Sequence, residues 1–230
     1  MLRSGLDSVK SVATAALHFS FTMPPTRHKT AAGPGPDLRQ RILDTAGALL
    51  DEQGAAALSL REVARRAGVT HQAPYHHFAD RESILAELVT AGFDELERRL
   101  AKAHARSGSA HDTLAASAVA YVSFALDQPG VFRIMFRSDM CDLARFPQAS
   151  AAGQRAHREL MHLVRLVHGG HDDPALAAMH WAQVHGLAVL LLDGPLGQQM
   201  AGRRERLAFL RQAADLYASR ALGVTAPVRD

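Results

Sequence analysis

A cluster of polar, aromatic and small side chains between positions 71 and 77 could contact a nucleic acid or hold a metal ion. Its members are His71, Gln72, Ala73, Tyr75, His76 and His77. A glutamine amide can bond both polar atoms of an adenine edge, a histidine can bond a guanine N7 or a phosphate, and an alanine methyl can pack on a thymine methyl. Histidine nitrogens are also ligands of zinc. The chemistry therefore depends on how the chain presents these side chains.

The adjacent residues His76 and His77 do not favour a metal site. Neighbouring residues on a helix point about 100° apart, so the two rings do not converge on one ion without further ligands. Both rings are largely neutral at pH 7, so each would give DNA a hydrogen bond rather than a full charge. A third interpretation stays open from the residues alone, in which both rings only cover the protein surface.

Two helices are predicted before this cluster. Apolar residues at helical spacing from Asp37 onward predict a first helix that ends at Gly54. The motif "SLRE" then has the form of a capping box. In such a box Ser59 accepts a hydrogen bond from the N–H of Glu62, whose carboxylate reaches back. This second helix is predicted to end at Gly68, which tolerates a left-handed conformation.

A third helix is predicted from His71 to about Phe78, with Thr70 as its N-cap. Pro74 has no N–H and removes the hydrogen bond that this position would give to the carbonyl of Thr70, so the first turn should be tightened or irregular. Because the helix is so short, we expect the rings of Tyr75 and Phe78 to fix it by packing on the first two helices.

Two short helices joined by the turn Gly68-Val69-Thr70 form a helix-turn-helix pattern. The first turn of the second helix enters the major groove in such motifs, which predicts base contacts for His71, Gln72 and Ala73. Donors one turn later and at the neighbouring helix starts can reach the same groove and its phosphates. They are Ser59, Arg61, Tyr75, His76, His77 and Arg81.

The remainder of the chain also shows only helical patterns. Asp80, Asp112 and Asp173 are predicted N-caps, the last followed by Pro174 at the first helical position. A final helix is predicted from about Arg203 to Leu222. No run alternates as a strand would, so the predicted fold class is all-α.

Three parts are predicted along the chain. Residues 1–36 read as a disordered basic arm, residues 37–84 as a helix-turn-helix domain, and residues 85–230 as a larger helical domain. The arm holds four Lys/Arg against one Asp, residues 37–92 six Arg against eight acidic residues, and residues 93–230 sixteen basic against fourteen acidic residues. The net charge of +3 therefore gives no argument for DNA by itself.

Other features of the sequence restrict the compartment. The single cysteine, Cys141, excludes an intramolecular disulfide and fits a reducing environment, and the carboxylates of Asp139 and Asp142 oppose redox sensing by a thiolate. No apolar run reaches the roughly 18 to 20 residues that span a bilayer. The segment "VATAALHFSF" is short and lacks a small-residue cleavage site, so no signal peptide is predicted. We expect a cytoplasmic protein.

The segment "RQRILDTAGALLDEQGAAALSLREVARRAGVTHQAPYHHFADRESIL" resembles the DNA-binding domain of the TetR family of transcriptional regulators. The matching features are the turn "AGVT", the "ADRE" leading into the next helix, and the "Y-x-H-F" end of the recognition helix at Tyr75, His77 and Phe78. One departure is Pro74, which stands where Leu or Ile is more usual. The match covers about 47 residues, and spacing and residue types agree throughout.

This resemblance implies an all-helical homodimer with a three-helix head and a larger ligand-sensing body that dimerises through its last two helices. It implies base contacts by His71, Gln72, Ala73 and Arg61. The phosphate contacts that it implies are those of Ser59, Tyr75, His76, His77 and Arg81. Two recognition helices roughly 34 to 36 Å apart would bind a near-palindromic operator in double-stranded DNA. The family's usual mode of regulation is repression.

The segment "HWAQVHGLAVLLLDGPL" resembles the Trp-x-x-x-His-Gly signature of one C-terminal subfamily, together with "FALDQPGVFRIMF". Trp181 and His185 are four residues apart and share a helix face. Trp181 reads as a core residue or a ligand wall, and His185 as a pocket donor or an interhelical hydrogen-bond partner. We expect a small hydrophobic effector between the helices of the body. The predicted pocket residues are Phe124, Phe132, Met135, Phe136, Met161, Val164, Trp181 and His185.

Two other classes of function fit parts of the sequence. The run "HGGHDD" offers His168, His171 and Asp172 as nitrogen and oxygen ligands, with His162 or His180 nearby, which describes a metal-responsive DNA-binding regulator. An enzyme using His185 as a base is the other. We favour a non-enzymatic regulator that needs no cofactor.

Overall fold

The computed structural model describes residues 35–106 and 108–223. The arm predicted over residues 1–36 lies outside this range except for its last two positions. The described part contains α-helices and two short 3-10 segments and no strand. The α-helices are α1 (Gly35–Gln53), α2 (Leu60–Arg66), α3 (Arg81–Arg106), α4 (Ala110–Asp127), α5 (Pro129–Met135), α6 (Pro147–Val167), α7 (Pro174–Leu192), α8 (Pro195–Gln198) and α9 (Arg203–Ala221). The predicted all-α fold is confirmed.

Local signals end and begin several of these helices as predicted. Gly54 follows α1 with φ at 75°, a left-handed conformation that costs glycine little. Ser59 Oγ accepts from the N–H of Glu62 at 3.1 Å. The other half of the capping box is wrong, because the Glu62 carboxylate bonds Arg65 and Arg66 instead of reaching back.

The predicted aspartate caps lie at helix starts. Asp80 Oδ1 accepts from both the N–H and the hydroxyl of Ser83, at 2.8 and 2.7 Å, and the hydroxyl bond comes first among the causes that lower the pKa of Asp80. Asp173 Oδ1 accepts from the N–H groups of Ala175 and Leu176. For α4 the structure corrects the prediction: Ser109, not Asp112, is the N-cap.

One continuous apolar core runs from the head into the body. Head helices α1 and α2 contribute side chains such as Ile42 and Val63, and body helices α4 and α9 contribute Phe124 and Leu210, all of them fully buried. Helix α3 joins the two regions, because its first turns belong to the head and its last turns pack on α4 and α6. The head is therefore mechanically connected to the body through packed side chains.

Helix α5 makes a close contact with α1. A Cβ added to Gly130 would lie 2.6 Å from the carbonyl carbon of Leu50, so only glycine fits at this position. The Gly130 N–H donates to Asp51 Oδ1 at 2.6 Å, and burial raises the pKa of that carboxyl group. At the other end of the helix, Arg133 forms a bidentate ion pair with Asp193, just after α7.

Helix α7 is more apolar than the rest of the described chain. It is the one helix in the described ranges that is long and apolar enough to cross a membrane, with a mean hydropathy of 1.5, and only 22% of that window is buried. The expectation that no such run exists was therefore wrong by length and composition. Met179 and Leu190 are among its exposed side chains.

Candidate functional site

The segment predicted as a recognition α-helix forms a tighter structure. Only Ala73–His76 is helical, and it is of the 3-10 type. The Thr70 carbonyl accepts from the Ala73 N–H at 3.0 Å, because Pro74 has no N–H to give it. Its predicted N-cap is wrong as well, since Gln72 takes that position and makes no side-chain cap bond. The tightened turn expected from Pro74 is confirmed.

The recognition segment, residues 70–78, divides into an exposed and a buried side. Phe78 is buried as predicted, with the Arg39 guanidinium 5.5 Å from its ring centroid. Pro74 is also buried and so occupies a packing position. Tyr75 contradicts the packing prediction, because 56% of its surface is exposed. His71, Gln72 and His76 are exposed, while Ala73 and His77 are half-buried.

Two further predicted contacts lie at the start of α2. Ser59 and Arg61 are both exposed. Ser59 Oγ accepts the cap bond, so its own hydrogen can still be donated outward. The Arg61 side chain forms no ion pair or hydrogen bond within residues 35–106 and 108–223, whereas the neighbouring Arg65 and Arg66 are paired with Glu62. Both residues can therefore serve an external acceptor.

Arg81 has a different role from the predicted one. Its guanidinium donates to the carbonyl oxygens of Leu58 at 3.0 Å and Ala55 at 2.8 Å. Those carbonyls belong to the 3-10 segment Ala55–Ala57 and its C-cap. The Ala55 carbonyl also accepts from the Leu58 N–H at 3.1 Å, so Arg81 adds a charged donor to the end of this segment. Arg81 thus holds the connection between α1 and α2 and does not extend toward a phosphate.

The body contains a partly open cavity, whose empty space of about 660 Å³ includes solvent at its mouth. Its walls come from α3, α4, α6, α7 and α9, and from Phe136 at the end of α5. The lining residues are Leu96, Leu100, Leu114, Ser117, Ala118, Tyr121, Phe136, Ala156, His157, Glu159, Leu160, Leu163, His180, Trp181, Val184 and Tyr217.

Of the eight predicted pocket residues, only Phe136 and Trp181 line this cavity. Four others are buried in the apolar core, where they contact protein on all sides. They are Phe124, Phe132, Met135 and Val164. Met161 and His185 are also absent from the lining, although His185 is bonded to the lining residue Tyr121.

Sequence reasoning missed the polar residues that line the cavity, although their helical spacing could have revealed them. Ala156, Leu160 and Leu163 form one stripe of α6, and Glu159 is the acidic residue within it. Leu96 and Leu100 form a stripe of α3 that continues at His104. A charged or titratable residue that falls within the apolar stripe of a helix indicates a polar group facing the interior.

Trp181, Tyr121 and His185 form a hydrogen-bonded chain. The indole Nε1–H can only donate, and it does so to the Tyr121 hydroxyl at 3.1 Å. The Tyr121 hydroxyl hydrogen then goes to His185 Nδ1 at 2.9 Å, which leaves the proton of neutral His185 on Nε2. Burial lowers the pKa of His185 and raises that of Tyr121. The two residues of the Trp-x-x-x-His-Gly pattern thus share one partner.

A second hydrogen-bonded set surrounds His104. Its Nδ1 lies 3.0 Å from Glu159 Oε2, and its Nε2 lies 3.3 Å from Ser117 Oγ. Burial lowers the pKa of His104, which favours the neutral ring. Neutral His104 therefore donates from Nδ1 to the carboxylate and accepts from Ser117.

A third set is centred on His180, which lines the cavity together with Tyr217. His180 Nε2 is 2.9 Å from His168 Nε2, and His180 Nδ1 bonds the Tyr217 hydroxyl. Burial and the nearby His168 lower the pKa of His180. The proposed metal ligands are not gathered here, since His171 is exposed and Asp172 pairs with Arg165. Within residues 35–106 and 108–223, no three His, Cys, Asp or Glu residues are placed to hold a metal ion, so the metal-responsive alternative has no support.

Comparisons with known proteins agree with this architecture. The sequence model described as "Bacterial regulatory proteins, tetR family" matches residues 42–88, and the one described as "Tetracyclin repressor-like, C-terminal domain" matches residues 114–216. The Trp-His-Gly subfamily itself stays a prediction.

One curated relative is an uncharacterised HTH-type transcriptional regulator of Haemophilus influenzae. It is 29% identical over 127 residues, which span 55% of this chain and 59% of the relative. The chain thus covers less than two thirds of that relative's length.

Solved structures share the fold over most of the chain. A protein of unknown function from Rhodococcus sp. RHA1 has a TM-score of 0.64 and 28% identity, covering 87% of this chain and 99% of that one. The transcriptional regulator FadR from Bacillus subtilis, solved in complex with stearoyl-CoA, has a TM-score of 0.61 and 15% identity over 78% of this chain and 97% of that one. Because the two sequence models together match more than half of the chain, and do so in the order of the observed head and body, the chain belongs to the TetR family of transcriptional regulators.

Proposed function

We propose that this protein is a repressor that binds a near-palindromic DNA operator as a homodimer and leaves it when a small molecule fills the body cavity. The observation that carries the proposal is the exposed side of the recognition segment. The side chains of His71, Gln72 and His76 are exposed and have no hydrogen-bond partner within the described ranges. Unpaired donors on a helix-turn-helix surface are available to DNA.

The contacts divide by position. We assign base contacts to His71, Gln72 and Ala73, with Arg61 reaching in from the start of α2. Phosphate contacts are assigned to exposed donors that flank this tip: Ser59, Tyr75, His76 and His77. Exposure of the Tyr75 ring favours this role for its hydroxyl. Arg81 is withdrawn from the set, because its guanidinium is bonded to backbone carbonyls.

The dimer is proposed to form through α7 and α9. Apolar side chains remain uncovered on both helices, including Met179 at 69% and Leu216 at 52% exposure. Ala178, Ala182 and Gly186 recur at every fourth position of α7, and a Cβ on Gly186 would meet no atom within 4 Å. Small residues in this pattern let a second helix approach closely, and uncovered apolar side chains beside them favour an interface.

The cavity is placed so that its occupant can act on the head. Leu96 and Leu100 of α3 and Phe136 after α5 form part of its wall. Helix α3 begins in the head, and α5 is bonded to α1 through Gly130 and Asp51. An effector that fits one arrangement of α3 and α5 better than the other shifts the population of head orientations. FadR, which shares this fold, was solved with a ligand bound, which supports a ligand-holding body here.

The DNA-reading role is tested by operator selection from random sequence, followed by gel shifts with variants. Gln72→Ala should lose discrimination at one base pair of each half-site, by about 1 to 3 kcal/mol. The control is Gln53→Ala, an exposed glutamine at the end of α1, which should bind as the wild type does. If Gln72→Ala weakens every operator sequence equally, Gln72 is not a base reader.

The dimer is tested with Gly186→Arg. Arginine favours a helix more than glycine does, so the folded subunit should persist while the α7 face is blocked. Sedimentation should then show a monomer, and operator affinity should fall about 100-fold or more because the two half-sites are no longer bound together. Gln154→Arg on the exposed side of α6 is the control. A Gly186→Arg protein that stays dimeric would place the interface elsewhere.

A further inference from the structure

The cavity lining carries negative charge and no Lys or Arg to balance it. Among its lining residues Glu159 is the only carboxylate, and no lysine or arginine is present. The other polar groups are hydroxyls, an indole and imidazoles, and one of those imidazoles, His180, is kept neutral by burial. The cavity therefore presents one formal negative charge to whatever enters it.

Glu159 has no cationic partner in the described part of the chain. Its side chain is 22% exposed, and its one close partner is His104 Nδ1 at 3.0 Å. His104 itself is almost completely buried and pairs at its other nitrogen with Ser117. The nearest arginine along α6 with a carboxylate partner, Arg155, is bound to Asp94 and Glu97 on α3. A half-buried carboxylate held by a neutral donor gains most from a ligand that brings a positive charge.

The walls around this carboxylate suit a cation with an apolar body. Four aromatic rings line the cavity, from Tyr121, Phe136, Trp181 and Tyr217. The faces of such rings attract cations, most strongly when water is excluded. Leucines from α3, α4 and α6 cover the remaining wall and would bury an alkyl or aryl group.

We propose that the effector is a lipophilic monocation, such as a protonated amine or a quaternary ammonium, with its charge against Glu159 and its apolar body among the aromatic rings and leucines. This proposal rests on the proposed function, which makes the cavity the effector site. An anionic ligand such as an acyl-CoA would bring negative charge toward Glu159 and find no lysine or arginine in the lining. The fold is shared with a protein solved with stearoyl-CoA, but the charges of this cavity select a different chemistry.

The test compares three probes that share one alkyl chain and differ in charge at pH 7.5: decylammonium, 1-decanol and decanoate. Binding to the full chain is measured by calorimetry, and release of a selected operator by gel shift. We expect decylammonium to bind at least tenfold more tightly than decanol, decanoate to bind most weakly, and decylammonium alone to release the operator at micromolar concentration.

Variants identify the carboxylate as the source of the preference. Glu159→Gln keeps an oxygen that accepts from His104 but removes the charge, and should bring decylammonium and decanol to equal affinity. Glu159→Asp keeps the charge and should keep the preference. Asp215→Asn removes an exposed carboxylate of α9 outside the cavity lining and should behave as wild type.

The outcomes separate this proposal from the proposed function. Tighter binding of decanoate, a preference that survives in Glu159→Gln, or no binding of any probe by a protein that still holds its operator would each overturn the cationic effector. Failure to select any operator would instead count against the DNA-binding role and leave the calorimetric comparison standing on its own.

Discussion

The recognition segment and the cavity differ in whether their polar side chains are hydrogen-bonded within the protein. In residues 70–78 the side chains of His71, Gln72 and His76 have no partner inside the described chain. Around the cavity, polar groups are bonded to one another in three sets, centred on Tyr121, His104 and His180. The first surface leaves its hydrogen bonds to be made by DNA. The second is already satisfied, apart from one uncompensated charge.

This difference determines what a substitution should change. Removing an exposed, unpaired side chain should alter binding and leave the free energy of unfolding nearly unchanged. Removing a member of a bonded set leaves its partners unsatisfied, and that lowers stability as well as any binding. Substitutions can therefore test on which side of this division each residue lies.

Arg81 gives the largest expected effect, because it lies in the head but is bonded inward. Arg81→Ala leaves the carbonyls of Leu58 and Ala55 without their charged donor. We expect the free energy of unfolding to fall by about 2 to 3 kcal/mol, measured by urea denaturation at fixed protein concentration.

The matched control is Arg61→Ala, which removes an exposed and unpaired arginine of the same head. Its stability should stay within about 0.5 kcal/mol of wild type, while operator affinity falls. If instead Arg81→Ala were as stable as wild type and only lowered the salt dependence of DNA binding, Arg81 would be a phosphate contact after all.

Sequence reasoning succeeded in the head where a single residue decides local geometry. Ser59 and Asp80 are predictable as caps because a short polar side chain before an apolar stripe can accept from a free N–H of the first helical turn. The missing N–H of Pro74 likewise predicted a tight turn. The length of the recognition helix was wrong, since burial of Pro74 depends on the neighbouring helices, and no local pattern records those contacts.

Replacement of Tyr121 should have an intermediate effect on stability, and it tests the hydrogen-bonded side chains around the cavity. Tyr121→Phe removes the hydroxyl that accepts from Trp181 Nε1–H and donates to His185 Nδ1. We expect a loss of about 1 to 2 kcal/mol in the free energy of unfolding, measured by urea denaturation.

Tyr75→Phe is the control, because it removes the same atom from an exposed ring. It should leave stability unchanged within about 0.5 kcal/mol and weaken operator binding. Equal stability losses in the two variants would mean that the Tyr121 hydroxyl contributes nothing beyond an exposed one.

The cavity was harder to predict than the head for a geometric reason. Phe124 and Phe132 are aromatic and lie on the right helices, but both face the core. Helical spacing shows which residues share a face and not which neighbouring helix that face meets. Glu159 and His104 could be recognised only when α3 and α6 were brought together, since their hydrogen bond joins positions 55 residues apart.

His104 gives the smallest expected effect and tests whether the bonded sets also respond to pH. Burial lowers the pKa of His104 below 6.5, a nearby Glu159 partly opposes this, and His162 adds to it. As the pH falls below 6.5, the unfolded chain takes up a proton that the folded protein resists, so stability falls until the pH reaches the folded pKa. His104→Gln can still donate to Glu159 and accept from Ser117, but it does not titrate. Between pH 7.5 and 5.5 the free energy of unfolding of the wild type should therefore fall by up to about 1.4 kcal/mol more than that of the variant, measured by urea denaturation at both values.

The buried His180 and His185 remain in both proteins, so a residual dependence of stability on pH is expected in each. Identical slopes would show that His104 takes its proton as readily in the folded protein as in the unfolded chain, and that its place in the bonded set does not depend on the neutral ring.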